Sequence, residues 1–204
     1  MSNSTLDDLR VRLNSARREF ESEFEQQLAT QRERFRYRLK RGKVRFENDV
    51  RILQRAYRIG LWPYIRRGHF AYVLTAPLIY GLIVPLALLD ISVTLYQHVC
   101  FRIYGIPLVR RSDHVIIDRQ HLAYLNGLEK FNCVYCGYGN GVIAYAREIA
   151  GRTEAFWCPI KHARRAADPH AEFDGFFDYG DAESYSNWLE AQRGGPKHAE
   201  GRKP

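Results

Sequence analysis

Residues Phe70 to Leu89 read FAYVLTAPLIYGLIVPLALL, a run of 20 residues without a charged side chain. A helix rises about 1.5 Å per residue, so this run matches the thickness of the hydrocarbon core of a bilayer. The run lies too far from residue 1 to be a cleaved signal peptide. It therefore predicts a helix embedded in a membrane, in preference to a buried core helix, and Pro77 and Pro85 predict bends in that helix.

The apolar pattern continues beyond Asp90, which we interpret as the point where the chain leaves the membrane. Apolar residues then recur at four-residue steps, at Ile91, Leu95, Val99 and Ile103, as is typical of a helix in the headgroup region. Residues 61–105 thus form one membrane-embedded and interfacial segment. Either it crosses the bilayer once or it forms a re-entrant wedge. The excess of arginines before the run predicts a cytoplasmic N-terminus.

Residues 1–60 predict a long amphipathic helix, because no proline interrupts them and apolar side chains recur every three or four residues. This stripe consists of Leu6, Leu9, Leu13, Ala16, Phe20, Phe24 and Leu28, continued by Phe35, Leu39, Phe46, Val50, Leu53 and Tyr57. Charged residues occupy the other faces, so the apolar stripe must be buried against another surface. We consider a coiled-coil homodimer or another protein partner, the rest of the chain, and lipid.

Eight cations lie close together in the second half of this predicted helix: Arg32, Arg34, Arg36, Arg38, Lys40, Arg41, Lys43 and Arg45. Within that run only Glu33 opposes them, and the whole chain has a formal net charge of +8. Such a run attracts polyanions. Because the membrane segment is close in sequence and no nucleic-acid recognition motif is present, we expect anionic lipid headgroups as the ligand, and no sequence-specific nucleic acid.

Two cysteine clusters lie in the last third of the chain. The first runs from Cys133 to Cys136, and after a gap of 21 residues the second runs from Cys158 to His162. Three thiolates and one imidazole suit a closed tetrahedral zinc site, so these four residues are the predicted ligands. Alternatives for the fourth ligand are His170, His121 and Cys100. A redox dithiol at the first cluster, or thiols that only pack, are the competing interpretations.

The two clusters resemble the paired knuckles of rubredoxins and zinc ribbons over residues 133–162. Cys133, Cys136 and Cys158 match the first three ligands of that pattern, whereas the fourth thiolate is missing and His162 stands one place further on. This difference favours zinc over iron. The wider stretch 119–181 resembles uncharacterised bacterial membrane-associated proteins, which implies a bacterial inner membrane but no reaction. Since thiolates stay reduced most easily in the cytosol, we expect the metal domain there.

Residues 106–192 predict a small α-rich metal-knuckle domain. We expect a strand at 115–117, a helix from Asp118 to Cys133, a second helix from Asn140 to Gly151, and a last helix that begins at Asp181 and buries Tyr185, Trp188 and Leu189. Residues 193–204 are rich in glycine, proline and charge, which predicts a disordered tail. The predicted fold class is therefore mainly α, with three folded or embedded parts and a tail.

The sequence contains no nucleophile elbow, phosphate-binding loop or zinc-protease motif, and Val142 replaces the third glycine of a dinucleotide fingerprint. An enzyme is therefore not the favoured interpretation. We expect a membrane-anchored zinc protein that acts as an interaction or assembly module. The alternative is a membrane-associated redox protein with an iron site, or with a dithiol at Cys133 and Cys136.

Overall fold

The structure, a computed structural model, describes residues 3–40 and 43–193. These residues are mainly helical, as predicted, and their strands are confined to one short hairpin. The chain divides into two compact units: unit 1 contains residues 1–69 and 117–134, and unit 2 contains residues 70–116 and 135–204. The units interleave along the chain, whereas the sequence analysis divides it into four consecutive parts, 1–60, 61–105, 106–192 and 193–204.

Unit 1 begins with helix α1, Asn3–Arg34. The predicted helix of about 60 residues is wrong beyond this point, because strands β1 (Tyr37–Lys40) and β2 (Lys43–Phe46) follow. Consequently only Arg32 and Arg34 of the basic run are helical, and most of its described members lie in a hairpin. Arg41 lies outside the described residues.

The hairpin is antiparallel and separates apolar from cationic side chains. Its register pairs Tyr37 with Phe46, Arg38 with Arg45, Leu39 with Val44 and Lys40 with Lys43. Opposed residues share a face, and neighbours along a strand alternate between faces. One face therefore carries the aromatic and aliphatic residues. The other, which we call the basic face, consists of Arg38, Lys40, Lys43 and Arg45.

Arg36 lies between α1 and the hairpin and has a positive φ of 50°, which is uncommon for a residue other than glycine. Its guanidinium pairs with the carboxylates of Glu47 and Asp49, which follow β2. The hydrogen bond that this guanidinium donates to Asp49 is the main cause that raises the pKa of Arg36. These pairs join the two ends of the hairpin. Helices α2 (Asn48–Ala56) and α3 (Leu61–Arg67) complete the first part of the unit.

The second part of unit 1 contains the start of a long helix. The predicted helix from Asp118 is wrong: only a 3-10 turn, Arg119–His121, is present there, and the predicted strand at 115–117 is not formed. The helix starts later, after Asn126. The Asn126 side chain accepts from the Glu129 backbone N–H (3.0 Å), and the Glu129 carboxylate accepts from the Asn126 N–H (2.9 Å), which is a capping box.

Unit 2 begins with the predicted apolar helix, which is continuous over Phe70–Tyr104. It consists of α4 (Phe70–Gly81), α5 (Ile83–Tyr96), a π-helical turn (Gln97–Phe101) and α6 (Arg102–Tyr104). The helix is long and apolar enough to cross a membrane, and 6% of its most apolar stretch is buried within the protein. Its existence and length are confirmed, and this helix indicates membrane association.

The long helix α8, Gly127–Trp157, replaces the two shorter helices that we predict around the cysteines. The glycines near Cys136 do not form a turn, and Gly151 does not end the helix, because both places are helical. In unit 2, α8 lies parallel to the apolar helix: Tyr135 donates to the carbonyl of Ile79 at one end, and the Phe156 ring stacks on Tyr104 at the other. Short helix α7, Arg111–His114, belongs to the returning segment between the two helices.

The core of unit 2 consists of Phe101, Val109, Tyr145 and Ile149. After α8 the chain forms a 3-10 turn, Ala171–Gly175, and then α9, Ala182–Arg193. The predicted last helix is confirmed, since Asp181 accepts a hydrogen bond from the Ser184 N–H (3.0 Å) and the three predicted inward residues are half-buried. Residues 194–204 of the predicted disordered tail lie outside the described residues.

Candidate functional site

The predicted metal ligands lie at three places along the chain. Cys133 and Cys136 are one turn apart in α8, the first half-buried and the second exposed. Cys158 is exposed and follows the last residue of that helix. His162 is exposed on the next loop, where its ring lies 6.0 Å from that of Phe173.

Helix α8 keeps these residues apart. Cys136 and Cys158 are 22 positions apart along it, or about 33 Å. Two thiolates on one tetrahedral zinc lie only about 4 Å apart. Within residues 3–40 and 43–193, no three His, Cys, Asp or Glu side chains are grouped to hold a metal. The predicted knuckle turn is therefore wrong, and the residues as folded here do not fit a four-ligand zinc site or its iron counterpart; zinc binding stays a prediction from the sequence.

The three alternatives for the fourth ligand lie elsewhere in the structure, with other neighbours. His170 packs over Gly151, where an added Cβ would lie 2.7 Å from the imidazole Nδ1. Its Nε2 lies 3.0 Å from the Glu154 carboxylate. His121 belongs to the 3-10 turn of unit 1, and Cys100 to the π-helical turn of unit 2.

We predict that spin labels on Cys136 and Cys158, with Cys100 and Cys133 replaced by serine, report a separation near the helical value of about 33 Å. Pulsed electron spin resonance measures this distance directly. A pair of labels at Cys136 and Ala150, about 21 Å apart on the same helix, serves as the control. A distribution centred below about 15 Å for the first pair would show that α8 is broken between the two positions, as the predicted knuckle arrangement requires.

The most polar contact of the apolar helix is built around Asp90. The Arg111 guanidinium donates to both of its carboxylate oxygens (2.9 and 2.6 Å), and the Tyr138 hydroxyl donates to one of them (3.0 Å). The Asp90 side chain is 13% exposed. These hydrogen bonds raise the pKa of Arg111, and burial followed by the Asp90 bond raises the pKa of Tyr138. The carboxylate is thus neutralised on the side of the helix that faces the protein.

A second polar contact lies two turns further along, at Gln97. This buried side chain bonds both backbone groups of Val109, accepting from its N–H (3.0 Å) and donating to its carbonyl (3.3 Å). Its amide also donates to the Tyr145 hydroxyl. Gln97 begins the π-helical turn, a feature that is frequent where a helix must present a particular side chain. The non-helical segment after Tyr104 is therefore fixed to the inner side of the apolar helix.

The opposite side of the apolar helix is uncovered along its whole length, and before Asp90 Tyr72, Val73 and Leu82 on other sides of the helix are also more than half exposed. We call the side that is uncovered throughout the outer stripe; its members, all at least half exposed, are Phe70, Leu74, Leu78, Val84, Leu88, Ile91, Leu95, Val99 and Ile103. They recur at three- to six-residue steps and share one side of a helix. An exposed apolar surface of this length marks a contact with lipid or protein.

The basic face is the most concentrated charge in unit 1. All four of its cations are exposed, and Arg38 lies directly opposite Arg45 as Lys40 does opposite Lys43. Like charges placed opposite each other destabilise a hairpin. The acidic residues nearest in sequence, Glu47 and Asp49, pair with Arg36 instead. An external anion would relieve this repulsion.

An open groove of about 390 Å³ lies between the apolar helix and the last turns of α8. Its lining is mostly apolar and includes Val93, Tyr96 and Ile149, with Glu154 and Cys158 at its end. Glu154 is already engaged with His170. Cys158 is a nucleophile and Glu154 a base in this lining, but the Glu154 carboxylate pairs with His170 instead of with the thiol.

Sequence reasoning missed three of these features. Asp90 is singled out only as a boundary, and its partners Arg111 and Tyr138 lie 21 and 48 residues away. Gln97 falls between the apolar four-residue steps of the predicted interfacial helix, which would put it on the polar side, although it is buried. The basic face could have been predicted from the sequence. Cationic and apolar residues alternate strictly along both strands, and this two-residue period is typical of β-strands.

Comparison with known proteins gives no further guide. No family model matches the chain, and no curated protein and no solved structure is significantly similar to it.

Proposed function

We propose that this protein is a membrane-associated assembly module without catalytic chemistry. The outer stripe carries the proposal: nine apolar side chains of one helix, each at least half exposed, would be unfavourable in water and favourable in lipid. The Asp90 and Gln97 contacts support it, because they satisfy the polar groups of the same helix on its protein side.

Anionic lipid headgroups are the proposed ligand of the basic face. Charge complementarity supports this choice, and only the 23 residues 47–69 separate the hairpin from the apolar helix. Arg32 and Arg34, at the end of α1, belong to the same proposed headgroup-binding region.

A second copy of the chain is the proposed partner of α1. Leu9, Leu13, Phe20 and Phe24 are more than half exposed on this helix, and the last two rings stack 6.1 Å apart. Such an uncovered stripe is the kind of surface that a coiled-coil dimer buries. Copurification of differently tagged chains tests this part; capture of only one tag rejects the homodimer.

A bacterial inner membrane with a cytosolic C-terminal part stays our proposed location. Zinc is not part of the proposed mechanism, because α8 separates Cys136 from Cys158. The same separation counts against an iron centre, whereas a redox dithiol at Cys133 and Cys136 stays the alternative proposal.

Flotation of the full chain with phosphatidylcholine vesicles tests the membrane proposal. We expect the protein to float, and to stay bound at about 1 M salt, where charge attraction is screened within about 3 Å. Leu74→Glu, Leu88→Glu and Leu95→Glu together should release it, since charge within hydrocarbon is costly. Glutamates at three exposed positions outside the stripe, Ile116, Ile143 and Tyr179, are the matched control. Failure of the unaltered chain to float would reject the proposal.

A further inference from the structure

We infer that the apolar helix lies along one leaflet of the bilayer instead of crossing it, so that the partner of the outer stripe is a single lipid monolayer. This inference rests on the proposed membrane function. Two observations carry it: the length of the outer stripe, and the returning segment on the opposite side of the helix.

The outer stripe is longer than a bilayer core. From Leu74 to Ile103 it extends 29 residues, or about 44 Å, compared with about 30 Å of hydrocarbon. Its members are 60–79% exposed before Asp90 and 50–74% exposed beyond it, so the exposed apolar surface continues past that residue. If residues 70–89 crossed the membrane, the second half of the stripe would face water. A helix that lies along the membrane places its full length in lipid.

The returning segment occupies the inner side of the second half of the helix. Val109 binds Gln97, Arg111 binds Asp90, and residue 115 closely approaches Gly141 of α8. This segment has little regular structure and carries Arg110, Arg111 and Asp113. Irregular, charged backbone is not tolerated in contact with hydrocarbon. The inner side of this half therefore faces water or headgroups, while the outer side faces lipid.

Depth measurements on the full chain in vesicles of phosphatidylcholine and phosphatidylglycerol test the inference. Single spin labels at Leu74, Leu95 and Ile103, in a background without the native cysteines, are exposed to oxygen, which enters lipid, and to a water-soluble nickel chelate. We expect the accessibility to the nickel chelate to be low, and similar, at all three labels. A label at Arg147, which is exposed on α8, is the aqueous control.

The outcomes separate the two proposals. Shielding at Leu74 with full nickel access at Leu95 and Ile103 would show a crossing helix and overturn the inference while keeping membrane association. Nickel access at all three positions would overturn both. A second measurement needs no cysteine replacement: tags before residue 1 and after residue 204, treated with protease on sealed cells, should be cleaved together or protected together. Cleavage of one tag alone rejects the leaflet arrangement.

Discussion

Neutralising the basic face with Arg38→Gln, Lys40→Gln, Lys43→Gln and Arg45→Gln is expected to weaken binding to anionic vesicles by about two to three orders of magnitude at low ionic strength. Each cation near an anionic surface contributes about 1 kcal/mol, and tenfold in affinity corresponds to about 1.4 kcal/mol. The fold should be kept, because the substitutions remove two repulsive cross-strand pairs. Vesicle sedimentation over a range of salt concentrations measures the effect.

The control has the same net charge but keeps the basic face. Glutamine at Arg12, Arg17, Arg164 and Arg165, all exposed, lowers the formal charge of +8 by the same four units. We expect this variant to bind anionic vesicles nearly as well as the unaltered chain. Equal losses in both variants would mean that total charge, and not the hairpin, governs binding. Tight binding to a nucleic acid duplex in preference to vesicles would identify a different polyanion.

Replacing Gly141 by alanine is expected to destabilise unit 2 by about 1–3 kcal/mol, the usual cost of forcing atoms into a packed site. An added Cβ would lie 2.6 Å from the Cα of Val115 and 2.8 Å from the carbonyl oxygen of His114. Both are backbone atoms, so they yield less than a flexible side chain. The better helix propensity of alanine offsets only about 1 kcal/mol of this cost. Thermal unfolding in mild detergent, followed by circular dichroism, measures the change.

Gly127 provides the matched control, because an added Cβ there meets nothing within 4 Å. Gly127→Ala in the same helix should leave stability unchanged or raise it by up to about 1 kcal/mol. Gly139→Ala should fall between the two, since its nearest neighbour is the end of the Leu86 side chain at 3.1 Å. If Gly141→Ala were as stable as Gly127→Ala, the close approach of α8 to the returning segment would be wrong.

The apolar helix and α9 were predictable from the sequence because their signals are local. Twenty uncharged residues predict a membrane-length helix whatever surrounds them, and Asp181 caps α9 through a hydrogen bond within one turn. The capping box at Asn126 and Glu129 was equally local. It was not predicted because Asp118, eight residues earlier, is also a capping residue before the same apolar pattern.

The hairpin and the continuous α8 were not predicted, for different reasons. In the hairpin, Phe35, Leu39 and Phe46 fit a helical stripe as well as an alternating pattern, and Arg36 adopts a positive φ that arginine rarely favours. In α8, glycine near a Cys-x-x-Cys pattern indicates a turn. In the structure these glycines lie within a continuous helix instead. Gly141 is needed there because the helix packs closely against the returning segment at that point.

The polar contacts of the candidate site depend on partners distant in sequence. Asp90 and Gln97 are recognisable as unusual residues in an apolar helix, but nothing near them specifies Arg111, Val109 or Tyr145. Their geometry follows from the parallel course of α8, which no pattern in either helix predicts. The same holds for the separation of Cys136 from Cys158, which depends on one helix remaining unbroken.

The parallel pairing of the apolar helix with α8 also imposes an order of events during synthesis. Gln97 precedes Tyr145 by 48 residues, so at about 5–20 residues per second its partner emerges about 2–10 s later. Throughout that interval the apolar helix is complete and Val109 and Arg111 have already been synthesised, but the partners of Gln97 and Asp90 on α8 are still missing. The exposed apolar helix must therefore be protected during this interval. Early delivery to lipid would protect it, as would a chaperone that shields the helix until translation has passed Tyr145.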